Sequence, residues 1–260
     1  MLYAKKTSAL PYWLTGVAII GFIALAIAFQ ITKPVAKDEK GCLAIISGKT
    51  VFVIDQSDSL SSQTRTEILA RVTKIINEKV KVGDLVSVFS ITELSKKNLI
   101  PMFSYCKQQQ TAEGPAQTQR YVTANYSKKF MQPLFAAINS PIIGSKQSPI
   151  AQAMIDLSLS DYLKHPASSR LVVFSDFMEF TERFSLYSRV SDKEAIAKFR
   201  LSRGASVARP TFSGVDVQLH IIPRAEIDTM TGKSRDMFWK WFFTDNNGSS
   251  AGLDLSYLPG

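Results

Sequence analysis

Short apolar runs rich in β-branched and aromatic residues alternate along the chain with longer amphipathic segments. The apolar runs predict strands at residues 50–54, 85–91, 99–106, 171–175 and 215–222, with 253–258 as a candidate sixth strand. Apolar residues at helical spacing predict helices at 63–80, 130–138, 150–163 and 236–244. Residues 107–127, rich in Gln and Thr, predict a long surface loop. Strands that alternate with helices predict an α/β fold.

Oxygen-bearing side chains follow the first predicted strand. Asp55, Ser57 and Ser59 come directly after its apolar run, as Asp-x-Ser-x-Ser. Asp and Ser also favour turns and helix N-caps, and Ser61 or Ser62 is placed to cap the helix that follows. This segment alone therefore fits a turn as well as a ligand site.

Two further segments carry the same kind of side chain. Ser148 precedes Pro149, and a proline suits the first position of a helix, which predicts that Ser148 is the N-cap. Ser175 and Asp176 end another buried-strand run. Hydroxyl and carboxylate oxygens thus recur at three separate places along the chain.

Together, in this order, the three segments resemble the metal-ion-dependent adhesion site (MIDAS) of von Willebrand factor A (VWA) domains. The resemblance covers roughly residues 48–245, and Ser148 stands where the family usually has Thr. It implies a doubly wound, mostly parallel sheet with one antiparallel edge strand, similar to a Rossmann fold. It also implies a Mg²⁺ ion, with Mn²⁺ or Ca²⁺ as alternatives, and a partner protein whose Asp or Glu completes the coordination. The implied ligands are Asp55, Ser57, Ser59, Ser148 and Asp176.

The residue types suit the chemistry of a hard cation. Mg²⁺ prefers octahedral oxygen ligands at about 2.0–2.1 Å and keeps some of its waters. Ser57 and Ser59 lie two residues apart on a turn, so that both hydroxyls can ligate directly, while Asp55, Asp176 and Ser148 act directly or through water. A first shell with few carboxylates leaves the metal electrophilic, and the resemblance implies that it then binds a partner's Asp or Glu rather than turning over a substrate.

Catalytic interpretations find less support. A phosphatase of the haloacid-dehalogenase type needs a second Asp two residues after Asp55, where this chain has Ser57. His165 and His220 fit a loop and a core strand, and the chain has no Cys/His cluster for zinc and no phosphate-binding glycine loop. Two alternatives stay open: a metal-free VWA scaffold subunit of a membrane complex, and a metal-dependent hydrolase. The hydrolase would use Asp55, Asp58 and Asp176.

An uncharged apolar segment near the N-terminus predicts a membrane anchor. Residues 14–31 carry no charge, and 18 residues in a helix extend about 27 Å, enough to cross a hydrocarbon core. The alternative is a cleaved signal peptide, because Ala26-Ile27-Ala28 fits a cleavage site. We expect an uncleaved, single-pass signal anchor, with the globular part on the periplasmic side. The predicted division is a tail at 1–11, a transmembrane anchor at 12–32, a linker at 33–47 and the VWA domain at 48–260.

The net charge and the two cysteines indicate which partners and which compartment suit the protein. The formal net charge is +9, and the basic residues are scattered rather than gathered in a stripe, which favours anionic lipid or an acidic partner over nucleic acid. The resemblance places Cys42 and Cys106 at the same pole of the sheet. A disulfide in an oxidising compartment and two separate thiols are both compatible with that placement.

Overall fold

The computed structural model describes residues 15–24, 37–91, 99–113, 117–141, 145–163, 168–188, 190–204, 206, 209–244 and 252–259. The chain divides into two compact units, Met1–Ala36 and Lys37–Gly260. In the first unit, residues 15–24 are helical. No helix within the described ranges is long and apolar enough to cross a membrane. The tail at 1–11 and most of the predicted anchor at 12–32 lie outside the described residues.

A six-stranded sheet forms the centre of the second unit. In chain order its strands are β1 (Gly48–Ile54), β2 (Leu85–Ser90), β3 (Phe103–Cys106), β4 (Ser168–Ser175), β5 (Val215–Ile221) and β6 (Gly252–Tyr257). Their order across the sheet is β3-β2-β1-β4-β5-β6, with β3 antiparallel to β2 and every other pair parallel. This confirms the predicted mostly parallel sheet with one antiparallel edge strand, and the candidate sixth strand is present.

Helices cover both faces of this sheet. They are α1 (Ser62–Lys79), α2 (Gln119–Tyr126), α3 (Gln132–Ile138), α4 (Ile150–Leu159), α5 (Asp192–Arg203) and α6 (Thr229–Phe243), and a π-helical turn at Ser127–Met131 joins α2 to α3. The predicted loop at 107–127 is wrong in its second half, where α2 lies. Only Val122 of α2 is buried, so that the helix carries no apolar stripe by which its sequence could be recognised.

Capping residues decide where several helices begin. Ser61 caps α1 by accepting a hydrogen bond from the Thr64 N–H. Of the two caps that the sequence allowed, Ser61 and Ser62, the structure therefore shows the first. Asp228 caps α6 and accepts from two N–H groups, so that this helix begins seven residues before the predicted start at residue 236. The helix α5, for which no prediction was made, is capped by Ser191.

Two hydrophobic clusters fill the spaces between the sheet and its helices. Alternate residues of β1 contribute to opposite clusters, Val51 and Val53 to one and Phe52 and Ile54 to the other. Helices α1 and α3 pack on the side of Phe52, whereas α4, α5 and α6 pack on the side of Val51. Burial on both faces explains why β1 reads as a continuous apolar run, and it fixes the point at which the first polar residue, Asp55, leaves the strand.

A disulfide lies at the end of the sheet where β1 and β2 begin. Cys42 and Cys106, 64 residues apart in sequence, are bonded to each other, which answers the question that the sequence left open. Cys106 pairs with Leu85, the first residue of β2. Beside it the buried Lys107 donates from Nζ to the Ile76 and Val80 carbonyl oxygens, at 2.7 and 2.8 Å, and so holds the C-terminal end of α1. Burial lowers the pKa of Lys107.

Candidate metal centre

The predicted site residues meet at the opposite end of the sheet, where the parallel strands finish. Strands β1 and β4 are parallel neighbours in register, Ile54 beside Phe174, so that Asp55 and Ser175 follow side by side. The Asp55 N–H donates to the Phe174 carbonyl oxygen at 2.8 Å and continues the ladder by one bond. In sheets of this strand order, ligands bind outside the carboxyl ends of the strands at the position where the order reverses, which here lies between β1 and β4.

Asp55 joins the three segments of the site. Its buried carboxylate accepts a hydrogen bond from the Ser57 N–H at 3.0 Å, from the Ser148 hydroxyl at 3.3 Å and from the Ser175 hydroxyl at 2.6 Å. The Ser57 and Ser148 hydroxyl oxygens are 3.5 Å apart. Residues that lie about 90 and 120 positions apart in the sequence are thereby brought to one carboxylate.

The predicted role of Ser148 as an N-cap is wrong. The helix α4 begins at Ile150, and Pro149 holds the N-cap position without a side-chain bond. Ser148 is instead extended, because its N–H and carbonyl pair with the carbonyl and N–H of Phe180 at 2.8 and 3.1 Å. This pairing leaves the Ser148 hydroxyl free to reach Asp55.

A buried carboxylate, Glu179, takes over the capping of α4. Its Oε2 accepts from the Ala151 N–H at 2.8 Å. Burial raises the pKa of Glu179 to about 8, against the opposing effect of hydrogen bonds from the Ala151 and Ile150 N–H groups. No sequence signal distinguished this residue, since a carboxylate that lies 28 positions after the N–H it accepts from is not a local motif.

Asp176 lies beside Asp55 and is also buried. Its Oδ1 accepts from the Met178 N–H at 2.9 Å, and its Oδ2 accepts from Nε of Arg224 at 3.0 Å. Burial, together with the negative charge of Asp55, raises the pKa of Asp176 to about 6, although the Met178 N–H and the Arg224 guanidinium act in the opposite direction. Two carboxylates have thus been brought into a site that favours additional positive charge.

Arg224 is a site residue that the sequence analysis missed. Besides Asp176, its guanidinium contacts Oδ2 of Asp58 at 3.5 Å and the Ser59 carbonyl oxygen at 3.4 Å. It follows β5 by three residues, and the same search at strand ends that found Asp55 and Asp176 would have reached it. It neutralises part of the charge that Asp55 and Asp176 bring together.

Ser59 and Asp58 lie at the outer side of this group. Both are exposed, and within the described part of the chain the Ser59 hydroxyl makes no hydrogen bond to the other four predicted ligands. Asp58 pairs with Arg224 and lines the cleft beside the group. The structure therefore brings Asp55, Ser57, Ser148 and Asp176 together and leaves the Ser59 side chain outside.

Side chains of α6 donate hydrogen bonds to the backbone of the turn that follows β4. The Ser175 hydroxyl accepts from the Phe177 N–H at 2.8 Å, and Phe177 has a left-handed backbone with φ of 57°. Arg235 donates to the Asp176 carbonyl oxygen at 3.0 Å, and Nε1 of Trp239 donates to that of Phe177 at 2.7 Å. A non-glycine residue in this conformation costs of order 1 kcal/mol and persists where its surroundings enforce it. Here it positions the Asp176 carboxylate beside Asp55.

The donor set has the chemistry of a site for a hard cation. It offers carboxylates from Asp55 and Asp176 and hydroxyls from Ser57 and Ser148, and oxygen donors of this kind suit Mg²⁺, Mn²⁺ or Ca²⁺. Among the residues that the structure describes, no three His, Cys, Asp or Glu side chains form a metal-holding group. The carboxylates of Asp55 and Asp176 and the hydroxyls of Ser57 and Ser148 would hold such a cation together with water.

An open cleft of about 260 Å³ lies over the site. Its lining includes Ser57, Asp58, Ser148 and Asp176 together with Phe180 and Tyr187, whereas Asp55 is buried beside it. Fold and site together define the class of this protein: a doubly wound α/β domain with an oxygen-rich cleft at the carboxyl edge of its sheet.

Several solved structures resemble this chain at low sequence identity. No protein-family profile and no curated protein sequence matches the chain. An aerotolerance-related membrane protein from Bacteroides fragilis NCTC 9343, solved with multiple mutations to serines, is 13% identical over 78% of this chain and 79% of that chain, with a TM-score of 0.34. BatB from Bacteroides thetaiotaomicron is 10% identical over 81% and 89%, with a TM-score of 0.38. The D319A mutant of the PilB minor pilin from Streptococcus sanguinis is 11% identical over 82% and 57%, also with a TM-score of 0.38. Likenesses of this size carry no argument about function.

Proposed function

We propose that this chain is a VWA-type binding module that holds a divalent cation at the cleft and presents it to a carboxylate of a protein partner. Mg²⁺ is the favoured ion, with Mn²⁺ or Ca²⁺ as alternatives. The observation that carries the proposal is the convergence on Asp55 of three segments that are far apart in sequence, through Ser57, Ser148 and Ser175. The proposed ligands are Asp55, Ser57, Ser59, Ser148 and Asp176.

Each side chain has a distinct part in this proposal. A bound cation would supply an electrophilic centre that attracts an Asp or Glu side chain. Asp55 holds the backbone of the turn that carries Ser57 and orients the Ser148 hydroxyl, and Asp176 contributes the second negative charge. Ser59 belongs to the set through its place in Asp-x-Ser-x-Ser, and its exposed side chain has to turn toward Asp55 to take part.

A metal-free scaffold is the second candidate function, and one observation favours it. The Arg224 guanidinium already lies 3.0 Å from the Asp176 carboxylate and supplies positive charge without a metal. The two candidates differ in one measurable property, which is whether partner binding requires the cation.

Partner capture tests the choice between the candidates. We expect that the full-length chain, used as bait on detergent-solubilised membranes, captures its partner with Mg²⁺ and loses it with EDTA. A Ser57→Ala/Ser59→Ala variant is expected to capture no more than the EDTA sample, because it lacks two oxygen donors while β1 stays intact. Ser158→Ala/Ser160→Ala, at the far end of α4, is the matched control and should behave like the wild type. If the Ser57/Ser59 variant is folded by circular dichroism and its capture is undiminished, the scaffold replaces the metal site as the explanation.

We also propose that residues 12–32 anchor the chain in a membrane, with the domain in an oxidising compartment such as the periplasm. The Cys42–Cys106 disulfide supports this location, because structural disulfides form and persist in such compartments. We expect the intact mass of protein extracted from membranes to include residues 1–33. A mature N-terminus at Phe29 would show that Ala26-Ile27-Ala28 is a cleavage site and that the domain is released.

A further inference from the structure

Two exposed aromatic side chains stand beside the candidate metal centre. Phe180 is 44% exposed and Tyr187 is 51% exposed, and their rings pack edge to face with centroids 6.1 Å apart. Both line the cleft that Ser57, Ser148 and Asp176 also line. Aromatic residues at the edge of a cleft are typical anchors of protein interfaces, because they offer a large apolar area at low entropic cost.

The backbone that carries this pair is held in place. Residues 179–186 form a short hairpin, in which the Leu186 N–H donates to the Glu179 carbonyl oxygen and the Thr181 N–H donates to that of Phe184. The Phe184 and Leu186 side chains are buried. Phe180 is therefore exposed on a segment whose neighbours are part of the core, and the segment needs no large rearrangement before binding.

The aromatic pair is also tied to the oxygen donors themselves. The backbone of Phe180 pairs in both directions with the backbone of Ser148, whose hydroxyl donates to Asp55. The distance between the apolar surface and the oxygen cluster is thus set by a pair of hydrogen bonds. A partner segment that reaches both must carry an apolar group and a polar group close together.

Charge indicates which polar group this is. Lys146 and Asp58 are both exposed and line the same cleft, so that their opposite charges offset each other. The proposed cation at Asp55 and Asp176 then supplies the positive charge that favours a carboxylate on the partner. The aromatic rings favour an aliphatic or aromatic side chain next to it.

We propose that the cleft recognises a protein segment in which an Asp or Glu is flanked by large aliphatic residues. The carboxylate binds at the metal centre, and an aliphatic side chain packs on Phe180 and Tyr187. This inference rests on the proposed function for the carboxylate and adds the chemistry by which the cleft distinguishes one acidic segment from another.

Three synthetic peptides test the inference on the full-length chain with Mg²⁺. They are acetyl-Gly-Leu-Asp-Leu-Gly-amide and its variants with Ser in place of both Leu residues or Asn in place of Asp. We expect Leu→Ser to lower affinity by about tenfold, since partial burial of a Leu side chain contributes on this order. In a Phe180→Ser/Tyr187→Ser chain this ratio should fall to about one, with the Tyr187→Ser single variant between the two. The Asn peptide should not bind.

A matched control and the contrary outcomes complete the test. Tyr121→Ser removes an exposed aromatic side chain from α2, away from the cleft, and should leave the Leu preference intact. If Asp→Asn has no effect, the proposed function fails and the inference fails with it. If Asp is required but Leu→Ser has no effect, or if the Leu preference survives in the double variant, the inference alone is overturned. Absence of binding by the Leu-Asp-Leu peptide at millimolar concentration also overturns it.

Discussion

Asp55→Ala is expected to abolish divalent-cation binding, whereas Asp58→Ala should change the affinity by no more than about threefold, as is usual for an exposed charge beside a site. Asp55 is buried and holds the hydrogen bonds that orient Ser57 and Ser148. Asp58 lines the same cleft but is exposed and pairs with Arg224. Isothermal titration calorimetry of the full-length chain with Mg²⁺ and Mn²⁺ measures both effects.

The fold of the Asp55 variant has to be controlled separately. Asp55→Ala leaves the buried hydroxyls of Ser148 and Ser175 without their acceptor, which costs about 1–3 kcal/mol for each unsatisfied group. Asp55→Asn keeps the shape of the side chain and removes its charge, and it should lose cation binding as well. Circular dichroism identifies any variant that has not folded. Equal affinities for folded Asp55→Asn and Asp58→Asn chains would show that Asp55 is not a ligand.

Removal of the disulfide is expected to lower the free energy of unfolding by about 4 kcal/mol, the value that the chain-entropy relation assigns to a loop of this length. Cys42 and Cys106 close a loop of 64 residues that contains β1, α1 and β2. Urea unfolding of the Cys42→Ser/Cys106→Ser chain, beside wild type with and without a reducing agent, measures the change.

Cation affinity serves as the internal comparison for that variant. The disulfide lies at the edge where β1 and β2 begin, and the candidate metal centre lies where β1 and β4 end. We therefore expect the affinity of the folded Cys42→Ser/Cys106→Ser chain for Mg²⁺ to equal that of wild type. A loss of less than about 1 kcal/mol in stability would contradict the chain-entropy argument.

Strand positions and the first site residues could be read from sequence because their causes are local. Strands buried on both faces consist of uninterrupted apolar residues, such as those around Phe52 and Val172, and they end where the first carboxylate appears. Asp55 and Asp176 were recognisable for this reason. The Ser61 cap was recognisable as well, because its partner Thr64 is three residues away.

Other features depended on groups that meet only after folding. The direction of the Ser148 side chain follows from its pairing with Phe180, 32 positions later, which overrode the local preference of Ser-Pro for a helix start. Arg224 reaches Asp176 across 48 positions, and Glu179 caps a helix that precedes it. The helix α2 lacks an apolar stripe and so gave no periodic signal.

By itself the sequence determined the α/β class, the central strands and the carboxylates at the strand ends. The reason is that a strand buried on both faces consists of consecutive apolar residues. Only the tertiary structure decided that Cys42 bonds to Cys106, that Ser148 joins Asp55 while the Ser59 hydroxyl stays outside, and that Arg224 neutralises Asp176. The physical reason is that each of these contacts joins segments whose local sequences are compatible with several neighbours. The packing of the sheet and its helices selects one of them.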